Sequence, residues 1–225
     1  MKISKNKIIS GLSVAALVFI FVFQVKAQNF EIGLRFMPTF FSIEMKNSSG
    51  GNVTGEGVVG FGIGGFFGYN FSEHFGVQGE IIYSTIGQKY EELDVVRQVN
   101  LAYINIPLLF SYNTGKTEPV NFNIVLGPQI GINAGTNLKI NNTGPTVKEA
   151  KLTVMASDLG IAYGAGVDFG LNSAKTIRLG AGFRGVYGLI DISDNSQTLV
   201  TNQYFILDKT KIITYSAYVG LSWLF

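Results

Sequence analysis

The sequence predicts an all-β fold: eight antiparallel strands joined up and down into a closed barrel. Three observations lead there. Large apolar residues alternate with glycine and polar residues in eight segments, the connections between them alternate short and long, and charges inside the segments fall on one face. The chain has 225 residues, 47% hydrophobic, with 28 glycines. Beyond its N-terminal stretch no run approaches the roughly 20 apolar residues of a membrane-crossing helix, so the apolar content must be arranged another way.

The N-terminal stretch is separate. Lys2, Lys5 and Lys7 precede an apolar run over residues 8–23, followed by Val25, Lys26 and Ala27. That order predicts a cleavable export signal, residues 1–27, ahead of one domain, residues 28–225. Removing it takes four of the 17 basic residues and none of the 15 acidic ones, leaving 13 against 15 and a net charge of −2. The basic character belongs to the signal, and nucleic acid is not an expected partner. With no cysteine, the chain has neither disulfides nor a lipid-anchored cysteine.

The first predicted strand, residues 30–40, sets Phe30, Ile32, Leu34 and Phe36 against Glu31, Gly33 and Arg35, with Pro38 disturbing its end. The second, 59–71, sets Phe61, Ile63, Phe67 and Phe71 against Gly60, Gly62, Gly64 and Gly68. The third, 75–84, opposes Phe75, Val77, Ile81 and Tyr83 to Gln78, Glu80 and Ser84. The fourth, 102–112, opposes Ile104, Ile106, Leu108 and Phe110 to Tyr103, Asn105 and Ser111, and the fifth, 120–133, opposes Phe122, Ile124 and Leu126 to Asn121, Asn123 and Gln129. In the sixth, 159–169, Leu159, Ile161 and Tyr163 alternate with Gly160, Gly164 and Asp168. The seventh, 177–187, alternates Leu179 and Phe183 with Arg178 and Arg184, and the eighth, 213–225, alternates Tyr215, Val219, Trp223 and Phe225 with Ser216, Tyr218 and Ser222. A period of two places each set on its own face.

Residues 70–74, 113–119 and 170–175 read as short turns; 44–57, 88–100, 134–157 and 191–210 read as long polar loops. This is the layout of a transmembrane barrel, with short periplasmic turns, outer loops and both termini periplasmic. A soluble carrier barrel would alternate similarly but with its charges outside. Here Glu31, Arg35, Glu80, Asp168, Arg178 and Arg184 all fall on the small, polar face. An arginine facing lipid near the midplane would cost roughly 2–4 kcal/mol, so that face is the lumen. Aromatics gather where strands meet the short turns, among them Phe30, Tyr69, Phe71, Phe75, Phe110, Tyr112, Phe122, Phe169, Trp223 and Phe225, as an interfacial girdle requires.

The chain resembles the PorT-like family of small outer-membrane β-barrel proteins over essentially all of residues 28–225. The resemblance rests on NFSEHFGVQGEIIYSTIGQKY (70–90), LAYINIPLLFSYN (101–113), VLGPQIGIN (125–133), DLGIAYGAGVDFG (158–170), RGVYGLIDIS (184–193) and the terminal YVGLSWLF. It implies contact with outer-membrane lipid and insertion by the barrel-assembly machinery, whose recognition signal resembles the last strand with Tyr218, Trp223 and Phe225. It implies no uniform activity, though some relatives serve protein secretion.

The formal dinucleotide motif Gly60-Phe61-Gly62-Ile63-Gly64-Gly65 carries no such function, because strand alternation runs through it and no helix follows. Its glycines read as lumen-side small residues that leave room for larger neighbours such as Arg35 and Glu80. The single histidine, His74, falls in a short turn, away from the outer loops where a general base would be needed. Glu91, Glu92 and Asp94, and Asp191 with Asp194, read as solvated loop carboxylates rather than a metal site, and no cofactor is expected. A non-enzymatic structural or interaction role in the envelope follows, through the long loops or the periplasmic turns. The alternative is a narrow channel or small-solute-binding barrel, with the charged lumen residues lining it.

Overall fold

The computed structural model describes residues 29–42, 44–46, 52–54, 56–92, 95–142, 155–192 and 211–225. The predicted export signal lies outside them, as do Asp94 and Asp194. The described residues form a closed antiparallel barrel from β1 (Phe30–Ser42), β4 (Glu56–Asn70), β5 (Phe75–Glu92), β6 (Val95–Asn113), β7 (Val120–Asn142), β8 (Ser157–Gly170), β9 (Ile177–Gly188) and β10 (Ile213–Leu224). A small hairpin, β2 (Glu44–Lys46) with β3 (Asn52–Thr54), follows β1. Each predicted segment is one barrel strand.

The barrel closes where β1 meets β10. Phe30 N donates to Phe225 O at 3.0 Å and Phe225 N to Phe30 O at 2.9 Å, so the seam is paired to its end. Pro38 does not end β1. Its missing N–H coincides with a gap in the β1–β10 ladder between Phe36 and Thr39, while the ladder to β4 continues through the Pro38–Phe61 pair.

Stagger fixes which lumen residues meet. From Asp158 the paired residues run through Gly131, Asn105, Ile82, Gly64, Arg35, Gly220 and Gly180 and return to β8 at Asp168, ten residues along the strand. Eight strands with that offset tilt about 40° from the axis, giving about 2.5 Å of height per residue.

The outward face is apolar and exposed, from Phe71 and Phe225 at the turn end to Val59 and Ile132 at the loop end. By the same rise this band is roughly 30 Å tall, the thickness of a bilayer's hydrocarbon core. At the turn end the aromatic rings touch: Phe30 and Tyr69 are 5.1 Å apart between centroids, Phe75 and Tyr112 5.4 Å, and Phe75 and Phe110 5.7 Å. Loose aromatic contacts of this kind supply the girdle.

Three sequence expectations need correction. Residues 88–100 are mostly strand, not loop: β5 reaches Glu92 and β6 starts at Val95, with Lys89 opposite Gln98 and Glu91 opposite Val96. Similarly, β7 continues to Asn142. Above the lipid neither face needs to be apolar, so the alternation fades while backbone pairing persists. Glu91 and Glu92 are accordingly strand residues. The third correction concerns the glycines of β4, which do not make room for Arg35 and Glu80. A Cβ on Gly64 would lie 2.0 Å from Ile81 O, so glycine there permits close approach of β5. Space for Arg35 comes from Gly220, where a Cβ would meet Arg35 Cγ at 3.0 Å.

Candidate functional site: a charge-filled lumen

Strand pairing brings the six predicted lumen charges into two levels. Glu31, Asp168 and Arg178 stand near the turn end. Arg35, Glu80 and Arg184 form a second level, roughly 12 Å further toward the loop end by strand rise.

At the middle level Glu80 is the common acceptor. Arg184 approaches it end-on, with Nη1 3.3 Å from Oε2 and Nη2 3.0 Å from Oε1. Arg35 and the Gln78 amide donate to Oε1 as well. Such forked guanidinium–carboxylate pairing combines charge with fixed orientation. Arg35 is further held between two rings, its guanidinium carbon 4.3 Å from the Phe66 centroid and 4.7 Å from that of Tyr218. Two guanidinium groups on one carboxylate leave this level one positive charge in excess.

The turn-end level contains a residue the sequence reading missed. The β6–β7 turn, residues 114–119, folds back across the barrel mouth and inserts Lys116, whose Nζ lies 2.8 Å from Glu31 Oε2 and 3.8 Å from Asp168 Oδ2. Arg178 has no exposed surface; its Nε donates to Asp168 Oδ1, Nη1 to Glu118 O at 3.0 Å, and Nη2 to Asp168 O at 3.2 Å. Asn121 completes the plug, donating to Asp168 Oδ2 at 2.9 Å and Asn113 Oδ1 at 3.1 Å while accepting from Gly115 N at 3.0 Å. Two acids and two bases balance here. Lys116 had no periodic signal, because turns carry no alternation; its placement depends on how the turn folds.

The third level, roughly 12 Å above the middle one by strand rise, is set by Asp158. This carboxylate is also absent from the predicted set, lying one residue before the predicted start of its strand. It is buried, and its Oδ1 has no hydrogen-bond partner among the described residues. Two cavities flank the middle level. One of about 30 Å³ faces the turn end, touching Glu31, Gln78, Lys116 and Asp168. The other, about 50 Å³, faces the loop end between Glu80, Arg184 and Asp158. Each has room for a few water molecules.

The three residues expected to mark the last strand for assembly do not share a face. Trp223 and Phe225 point outward, whereas Tyr218 is buried against Arg35 in the lumen. His74 stays in its turn, Nδ1 3.1 Å from Asn113 O and its ring 6.3 Å from that of Tyr112.

A lipid-facing apolar exterior around an ion-paired, polar interior defines an outer-membrane β-barrel. Residues 26–194 match the family described as "Outer membrane protein beta-barrel domain", and the chain belongs to it. Among solved structures it is similar to the outer membrane protein OprG of Pseudomonas aeruginosa, at 18% identity with a TM-score of 0.55, covering 89% of this chain and 97% of that one. It also aligns with neisserial surface protein A, at 14% identity, TM-score 0.48, 89% and 100% coverage. A third match is Ail of Yersinia pestis, solved with a heparin analogue, at 17% identity, TM-score 0.43, 87% and 99% coverage. OprG supports the barrel fold. No curated protein matches the chain.

Proposed function

We propose that this PorT-like barrel is a non-enzymatic scaffold of the outer membrane, displaying its long loops outward and its turns and both termini to the periplasm, within a secretion or envelope assembly. On this reading residues 1–27 direct export and are removed, and the barrel-assembly machinery inserts the rest.

The observation that carries the reading is the turn-end plug. Lys116, Arg178, Glu31, Asp168, Asn113 and Asn121 occupy the mouth with mutually satisfied charges, supporting the structural rather than pore-lining role for the lumen cluster. A closed lumen leaves the loops and turns as the working surfaces. Photocrosslinkers placed singly in the long loops and in the turns at 71–74 and 171–176 test this in cells. The scaffold reading expects one partner captured repeatedly from neighbouring positions; a barrel whose every position yields only lipid and bulk outer-membrane proteins contradicts it.

One observation favours a narrow channel instead: two cavities, the turn-end one polar and the loop-end one partly apolar, meet the Arg35–Glu80–Arg184 level from opposite sides. Opening that level and the plug together would join them.

A further inference from the structure

We propose that the loop-end half of the lumen binds a small organic cation, an amine with a short apolar body. This extends both readings above and depends on neither.

The argument begins with charge pairing. The described lumen residues include four carboxylates and four cations, yet the pairing is uneven. Glu80 takes Arg35 and Arg184, while Glu31 and Asp168 share Lys116 and Asp168 holds Arg178. All four cations are thereby committed, and Asp158 has none. It is nonetheless only 6% exposed and borders the 50 Å³ cavity, with Oδ1 lacking a partner among the described residues. A buried carboxylate without a cation is costly, and an incoming cation offsets that cost.

The neighbours define the kind of cation. Gly131 lets two acceptors stand together: a Cβ there would lie 3.2 Å from Asn105 Oδ1 and 3.4 Å from Asp158 Cβ. Asn105 is fixed by donating to Ser84 Oγ at 2.6 Å and accepting from Gln129 Nε2 at 3.2 Å, which leaves a second lone pair on Oδ1. An ammonium group donates up to three hydrogen bonds and fits a carboxylate beside an amide oxygen. A hard divalent ion takes six or more oxygens, usually from several carboxylates, and among the described residues no cluster of three metal-binding side chains occurs. One side of the wall is apolar, with Met37, Ile82, Ile86, Val186 and Ile212 lining the same cavity, while the Thr39, Thr214 and Ser216 hydroxyls and the Glu80-bound Arg184 border the rest. Charge at one end and hydrocarbon along the side describe a short alkylammonium ion.

The test uses residues 28–225 refolded in detergent micelles, titrated calorimetrically with n-propylammonium, n-propanol and propionate. Saturable binding of propylammonium is expected, with propanol and propionate weaker by about tenfold or more. Asp158→Asn should weaken propylammonium about tenfold while keeping the heat-dependent gel shift of a folded barrel. Val186→Phe should block the cavity and remove binding. Equal uptake of the three probes, no saturable binding, or unchanged affinity in the folded Asp158→Asn variant would overturn the site. The comparison of probes on the unaltered chain decides the matter even if a variant fails to fold.

Discussion

The two halves of the lumen are filled on different terms. At the turn end each carboxylate has its cation, the Asn121 amide bridges Asp168 and Asn113, and a folded turn lies across the mouth. At the loop end one carboxylate, Asp158, faces a partly apolar cavity and has no cation of its own among the described residues. Between them the Arg35–Glu80–Arg184 level carries one positive charge too many. Among the described residues the interior is therefore neutral in total and polarised along its axis. Charge count alone would have called it balanced; the strand register decides which charges meet.

Breaking the middle level should have the largest effect. Glu80→Ala leaves two buried guanidinium groups without their acceptor, and a loss of about 3–5 kcal/mol is expected for removing one member of a buried ion cluster. Urea unfolding of the refolded barrel, followed by tryptophan fluorescence from Trp223, measures it. A loss below ~1 kcal/mol would mean that water or rearranged side chains already solvate this level.

Arg178→Met tests the turn-end plug. It strips Asp168 of one cation and frees the Glu118 carbonyl, but Lys116 and Asn121 remain, so about 2–3 kcal/mol is expected. Lys116→Met should cost less, about 1–2 kcal/mol, because Asp168 keeps Arg178 and only Glu31 loses its cation. If Lys116→Met proves the worse of the two, the turn is holding the plug together rather than resting on it.

The smallest effect should be a gain. Lys175, in the β8–β9 turn, has φ of 57°, a left-handed conformation that glycine adopts more readily. Lys175→Gly should stabilise the barrel by no more than about 1 kcal/mol, since the added freedom of the unfolded chain offsets part of the relieved strain. The same unfolding assay measures the shift.

What could be read in advance follows from where periodicity operates. All eight strands were legible because lipid on one face and a packed lumen on the other enforce a period of two. The outer extensions of β5, β6 and β7 were not, since above the membrane both faces meet the same solvent. Of the lumen charges, those on strands were legible by parity, as Arg178 and Glu80 show. Lys116 was hidden because it reaches the lumen from a turn, and Asp158 because it precedes the first apolar residue of its strand. The phenylalanines between the glycines of β4 marked a lipid face; what the glycines accommodate, the backbone of β5, required the register.

Electrical recording from planar bilayers containing refolded residues 28–225 tests the central claim, a lumen closed by ion pairs, most directly. The unaltered chain is predicted to give no reproducible unitary current, and a variant lacking both Lys116 and Glu80 side chains is predicted to give one. Steady unitary currents from the unaltered chain that change when Arg178 or Arg184 is replaced would contradict the closed barrel and establish the channel.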